Sequence, residues 1–157
     1  MSDIIEKSQP DNGTNTNLEN KLYRPNCEEV IRCFNERDSE GLKKIINPKF
    51  VDATTIKNIE EAFTLINGDI ISYKIRAATI SSDSFRDGKV VYRYATQAID
   101  DISINNSDRN FAVYINYTSA DKEKPDYVGT SRIKVVMYKF GTKYSETRIT
   151  IGEKLPD

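Results

Sequence analysis

The chain has 157 residues, enough for one domain with a sizeable core, and its 30% charged and 38% hydrophobic content is that expected of a soluble protein. Net charge is −1 and neither half concentrates basic residues, which excludes the electrostatic footprint of a nucleic-acid binder. No apolar run approaches the roughly 18 residues of a membrane span, and MSDIIEKSQPDNG lacks the basic-then-apolar pattern of a signal peptide.

Residues 1–22 are polar and broken by Pro10 and Gly13, which predicts a disordered leader or tether ahead of a single domain over 23–153. Asn26 with Glu29 three residues later has the capping-box pattern of a helix start. Cys27, Val30, Ile31 and Phe34 follow as an apolar stripe of helical period. Arg37-Asp38-Ser39 makes a tight corner. A second helix then buries Leu42, Ile45 and Ile46 and stops before Pro48. Ile56, Ile59, Phe63 and Ile66 predict a third helix, with Asn67-Gly68 as a left-handed exit.

From Asp69 the period changes to two. Ile71, Tyr73, Ile75 and Ala77 are expected on one face of a strand, and Arg86-Asp87-Gly88-Lys89 is a hairpin turn. Val90–Ile104 reads as a long strand, bulged at Asp100-Asp101. Phe111, Val113, Ile115 and Tyr117 share a face of the next. A strand from about Tyr127 to Phe140 carries Ile133, Val135 and Met137 inward. In the last, Ser145, Thr147, Ile149 and Ile151 alternate with Tyr144, Glu146 and Arg148, and the tail 153–157 looks frayed. Helices first and hairpin-linked strands after predict an α+β domain: N-terminal helices packed on a curved antiparallel sheet of five or slightly more strands.

The segment FNERDSEGLKKII followed by NPKF resembles the start of nuclear transport factor 2-like domains, cones in which a bent antiparallel sheet wraps over N-terminal helices. A nearer likeness, in INGDIISYK, RDGKVVYRY and KPDYVGTSRIKV, is to a domain-of-unknown-function family of Gram-positive bacterial proteins, many of them predicted lipoproteins. That resemblance implies an extracytoplasmic protein, membrane-tethered in the full-length gene product through the leader; a cytoplasmic location is the alternative. This chain lacks the family's signal and lipid-attachment cysteine.

The chain has no histidine, which removes the usual general base near neutral pH and the commonest metal ligand. The cysteines, Cys27 and Cys33, are separated by about 9 Å along one helix, too far for a bridge. Cys27 reads as a core residue and Cys33 as a partly covered thiol. The seven glycines form no phosphate loop. Asp100-Asp101 with Asn105 or Asp108 lacks the loop spacing of a calcium site, so no metal and no cofactor is expected. Asp52 is the candidate base of a cone enzyme, with hydroxyls from Tyr73, Tyr92, Tyr94, Tyr114, Tyr117 or Tyr138. The favoured reading makes Asp52 a local cap and the tyrosines sheet-covering residues. Arg76, Arg93, Arg132, Lys134 and Arg148 are expected to pair with carboxylates such as Glu146 on a wet sheet face, or else to form a partner-binding patch.

Function is therefore expected to be non-catalytic: binding of a protein or small ligand through the curved sheet, by a monomer or homodimer. Tyr73, Tyr92, Arg93, Tyr94, Tyr117 and Arg132 are the candidate contact residues. The alternatives are an immunity protein that neutralises a cognate toxin and, behind it, a small lyase or isomerase.

Overall fold

The computed structural model describes residues 4–6, 16–139, 141–142 and 144–153. Three α-helices precede the main sheet: α1 Thr16–Glu36, α2 Ser39–Ile45 and α3 Thr55–Leu65. The strands are β1 Ile5–Glu6, β2 Ile70–Ile75, β3 Thr79–Arg86, β4 Lys89–Ile104, β5 Asn110–Asp121, β6 Gly129–Tyr138 and β7 Ser145–Gly152. The architecture is α+β, with six antiparallel strands in one curved sheet. The two-residue β1 adds a parallel pair on the outer edge of β2, Ile5 opposite Ser72. The sheet order is β1-β2-β4-β5-β6-β7, and β3 also pairs with β4. The 16-residue β4 is the spine: its first half pairs with β3 and its second half with β2.

The apolar stripes pack where helical spacing puts them. Val30, Phe34, Leu42, Ile59, Phe63 and Ile66 meet Ile99, Val113, Ile115, Ile133, Val135 and Ile151 of the sheet in one core. Phe34 and Phe63 touch edge to face, with centroids 5.0 Å apart. Asp38 caps α2 by accepting from Gly41 N at 2.9 Å, and Arg32 braces it at 3.0 Å. These contacts hold the Asp38 carboxyl below its usual range, the Gly41 N–H first and Arg32 second. The turn Asp87-Gly88 has φ of 53° and 76°, as a two-residue hairpin turn of the twist-matching kind requires. The bulge at Asp100-Asp101 is present: β5 pairing skips from Ile99 to Ile102, and Asp101 takes φ 51°.

Five local expectations are corrected. First, Asn26 does not cap α1. The helix starts at Thr16 and runs through Pro25, and Asn26 donates from Nδ2 to Thr130 Oγ1 at 2.8 Å. Buried Tyr23, stacked edge-on against Tyr117 at 5.3 Å, anchors the turn before Pro25 and offsets the hydrogen bond that proline removes. Of the leader 1–22, residues 1–3 and 7–15 lie outside the described residues, as do 154–157 of the tail.

Second, Asn67 and Gly68 are not left-handed; the positive-φ residue near that corner is Arg37, at 54°. Gly68 instead allows close approach, because a Cβ there would lie 2.8 Å from Asn105 Oδ1. Third, β2 buries Ile70 and Ile75 rather than Ile71 and Tyr73 with Ile75. Register shifts on both sides of Ser72 reverse the parity of the strand. The strand also ends at Ile75, and β3 begins only at Thr79. Fourth, Cys33 is fully buried, and burial pushes its thiol up to about 11. Fifth, Glu146 pairs with Arg109 and not with the arginines of the wet face.

Candidate functional site

The first half of β4 pairs with β3, and the Asp87-Gly88 turn forms the tip of their hairpin. Residues of this hairpin, of the end of β5 and of the 3₁₀ turn Pro125–Tyr127 enclose a groove of about 730 Å³. Phe50, from the 3₁₀ turn that follows α2, closes it on the helical side by packing edge-on against Tyr127, with centroids 5.5 Å apart. Asn47 sets that wall. Its Nδ2 donates to the carbonyls of Asp126 at 2.7 Å and Val128 at 2.6 Å, and its backbone N–H to Thr130 O at 2.8 Å. At the opposite margin Gly152, at φ 95°, lets β7 lie against Ser131; a Cβ there would stand 2.5 Å from Ser131 O. The next residue, Glu153, reaches the groove.

The lining is aromatic and charge-balanced. Phe50, Phe85, Tyr92, Tyr94 and Tyr127 provide the rings. Arg86, Lys122 and Lys124 are matched in number by Asp121, Glu123 and Glu153. Burial raises the Tyr92 hydroxyl above its ordinary range, and Asp121 and Glu153 add to it. Burial likewise raises Tyr94, against the opposing influence of Ser131 and Arg132. Both phenols are therefore neutral donors and acceptors near pH 7.

The six expected contact residues do not assemble into one site. Tyr92 and Tyr94 line the groove. Arg93 between them is held by Asp83 at 3.6 Å, with its guanidinium 6.0 Å from the Phe85 ring centre. Tyr73 packs on the core beside β1, and Tyr117 packs on Tyr23. Arg132 donates from Nε to Asn116 Oδ1 at 2.7 Å, outside the groove lining but on the same sheet face as Tyr94 and within its electrostatic reach. Phe50, Phe85 and Tyr127 are groove residues that sequence reasoning missed. The available signal for Phe85 was its place beside a hairpin turn, where a 59%-exposed aromatic has no core to fill.

Asp52 is exposed and turned onto its own chain. Its Oδ1 accepts from Thr54 N at 2.8 Å and Thr54 Oγ1 at 2.7 Å, so it closes a local turn just ahead of α3, whose N-cap is Thr54. Asp100 is bound to Arg76. Among the described residues no three His, Cys, Asp or Glu side chains gather as metal ligands would, and no helix is long and apolar enough to cross a membrane.

A second hollow, about 320 Å³, lies on the face of β5–β7 turned away from the helices. Tyr114, Lys134, Val136, Tyr138, Tyr144, Ser145 and Arg148 line it. The Tyr114 and Tyr138 hydroxyls are 2.9 Å apart, and Lys134 Nζ sits 5.1 Å from the Tyr114 ring centre. Burial, and then the Tyr114 contact, raise the Tyr138 hydroxyl far above its usual range.

Residues 29–140 match the family described as Domain of unknown function (DUF5104). The chain belongs to this family. The DUF5104 match runs from inside α1 to just past β6, so it takes in every wall of the groove except Glu153. Three lining residues of the second hollow, Tyr144, Ser145 and Arg148, lie beyond the DUF5104 match. No curated protein matches the chain in sequence.

Proposed function

We propose that the chain is a non-catalytic binding domain of the nuclear transport factor 2-like cone type, which holds a protein segment or small ligand in the groove at the open end of its sheet. The observation that carries this reading is the groove itself: about 730 Å³, walled by five aromatic rings and edged by balanced charges. Concavities of this size with aromatic walls and a few placed polar groups are the usual form of ligand sites. The walls stand on β-strands and on a turn pinned by Asn47, so the seat is held without induced ordering.

The engagement of Asp52 with Thr54, and the lack of histidine, support binding over proton-transfer chemistry. On the strength of the likeness of INGDIISYK, RDGKVVYRY and KPDYVGTSRIKV to Gram-positive predicted lipoproteins, we also place the full-length gene product outside the cytoplasm, tethered through its leader. Fractionation of cells expressing the complete gene tests the location; recovery in the cytoplasm rejects it.

A library of short peptides and small polar molecules, screened by chemical shifts on the labelled chain, tests the binding reading. Hits should perturb Phe85, Tyr92, Tyr94 and Tyr127 together, and Tyr92→Ala with Tyr94→Ala should abolish them while leaving the fold intact. A library member that is chemically converted, with the conversion lost in Asp52→Asn, overturns it.

A further inference from the structure

The groove leaves the outer face of β5–β7 unexplained. Cross-strand register lays that face out in rows: Asn116–Arg132–Gly152, Tyr114–Lys134–Thr150, and Ala112–Val136–Arg148. These rows alternate with the core rows Ile115–Ile133–Ile151 and Val113–Val135–Ile149. Arg132, Lys134 and Arg148 are therefore neighbours on one surface, along adjacent strands.

Their partners differ from those of other arginines on the sheet. Arg76, Arg93 and Arg109 each hold a carboxylate: Asp100, Asp83 and Glu146. Arg132 and Arg148 hold neutral oxygens through Nε alone, Asn116 Oδ1 at 2.7 Å and Ser145 Oγ at 3.1 Å, with no carboxylate partner among the described residues. Those bonds fix each guanidinium and leave its terminal nitrogens for a further acceptor. Among the described residues no acidic side chain lines the second hollow. Asp100 and Glu146 nearby are already neutralised, and Asp101, within electrostatic reach of Tyr138, bounds the patch. On a chain of net charge −1, this is a local concentration of positive charge floored by tyrosine.

We propose that this face, floored by Tyr114 and Tyr138 and edged by Arg132, Lys134 and Arg148, docks an acidic protein segment. Carboxylates of the segment pair with the two arginines, whose planar forks match them bidentately. Its apolar side chains pack on Tyr138 and on Tyr144, which is 76% exposed. Tyrosine beside arginine is the composition of interface centres. Three cations are too few to follow a phosphate backbone, and the overall negative charge opposes an anionic bilayer. Arg132 lies within electrostatic reach of Tyr94, but no residue lines both hollows, so the failure of this site and that of the groove reading are distinguishable.

The test uses the full labelled chain and a short synthetic peptide of glutamates interspersed with phenylalanine, at low salt. Saturable shifts at Tyr114, Arg132, Lys134, Tyr138 and Arg148 are expected, with Phe85, Tyr92 and Tyr127 unmoved. Affinity should fall steeply with salt and by about tenfold or more in Arg148→Glu, as expected for removal of a close charge pair. Arg148→Gln should give an intermediate loss at unchanged melting temperature. Equal binding of the glutamine-for-glutamate peptide, shifts centred on the groove, indifference to Arg148→Glu, or no saturable shift each overturns the proposal. Preference for phosphatidylglycerol vesicles over the peptide overturns it in favour of a membrane.

Discussion

Arg37 closes the end of α3 from across the helical layer: its Nη1 donates to Phe63 O at 2.8 Å, and its Nη2 to Gly68 O at 3.2 Å. The guanidinium also lies 5.8 Å from the Phe63 ring centre. A cation is thus placed where the carbonyls of a helix C-terminus lack partners. Arg37 reaches this position from a left-handed backbone, φ 54°, at the α1–α2 corner.

Two opposing contributions meet at that residue, and two substitutions separate them. Arg37→Ala loses the cap and keeps the strain, so it should destabilise by about 1 kcal/mol, a low figure for a charged hydrogen-bond donor because the side chain is exposed. Arg37→Gly loses the cap but relieves the strain. It should melt in denaturant close to the native chain. A glycine variant less stable than the alanine variant would show that the corner is not strained.

Phe34 is the centre of the helix–sheet contact, 1% exposed and edge-on to Phe63. Phe34→Ala should cost about 3–5 kcal/mol through lost burial and the cavity left behind. A loss under about 1 kcal/mol in urea melts would mean that the site collapses freely or is misassigned.

Gln97 plugs the gap between β2 and β3. Its Nε2 donates to Arg76 O, while the Arg76 N–H reaches Ala98 O at 2.9 Å. The Gln97 Oε1 is buried and finds no partner among the described residues. Gln97→Leu leaves the Arg76 carbonyl without its partner and should cost about 1–3 kcal/mol. Faster amide exchange should appear at Arg76 and Thr79 before it appears in β5. Uniform exchange across the sheet would show that the plug does not hold the break.

Cys33 makes stability depend on alkaline pH. Its thiol ionises near 9.0 in the unfolded chain and at about 11 when buried. Between those values the folded state keeps a proton that the unfolded state has lost, so stability is complete below pH 9 and falls as pH rises towards 11. The burial of a raised thiol also predicts slow native alkylation. Tyrosines titrate in the same range, so the contribution is read as the difference from Cys33→Ser, whose slope should be flatter. Identical slopes would refute it.

The order of helices and strands, the Asp38 cap, the Asp87-Gly88 turn and the bulge at Asp100-Asp101 are all legible from residues close together in the chain. Each rests on local backbone preference or on an apolar period, which neighbours within a few positions determine. The alternation of Ile133, Val135, Ile149 and Ile151 places their strands correctly for the same reason. What only the tertiary structure decided lies where distant segments compete with those preferences. Tyr23 and Tyr117 hold α1 helical ahead of Pro25, against the local signal for a start at Asn26. Pairing with β4 shifts the register of β2, and one residue of slip exchanges its faces, so Ile70 is buried in place of Ile71. The groove draws Phe50, Phe85, Tyr127 and Glu153 from four separate stretches. Their convergence follows from how β3 and β5 pair with the first half of β4 and from where Asn47 pins the β5–β6 connection, and neither leaves a periodic trace in the sequence.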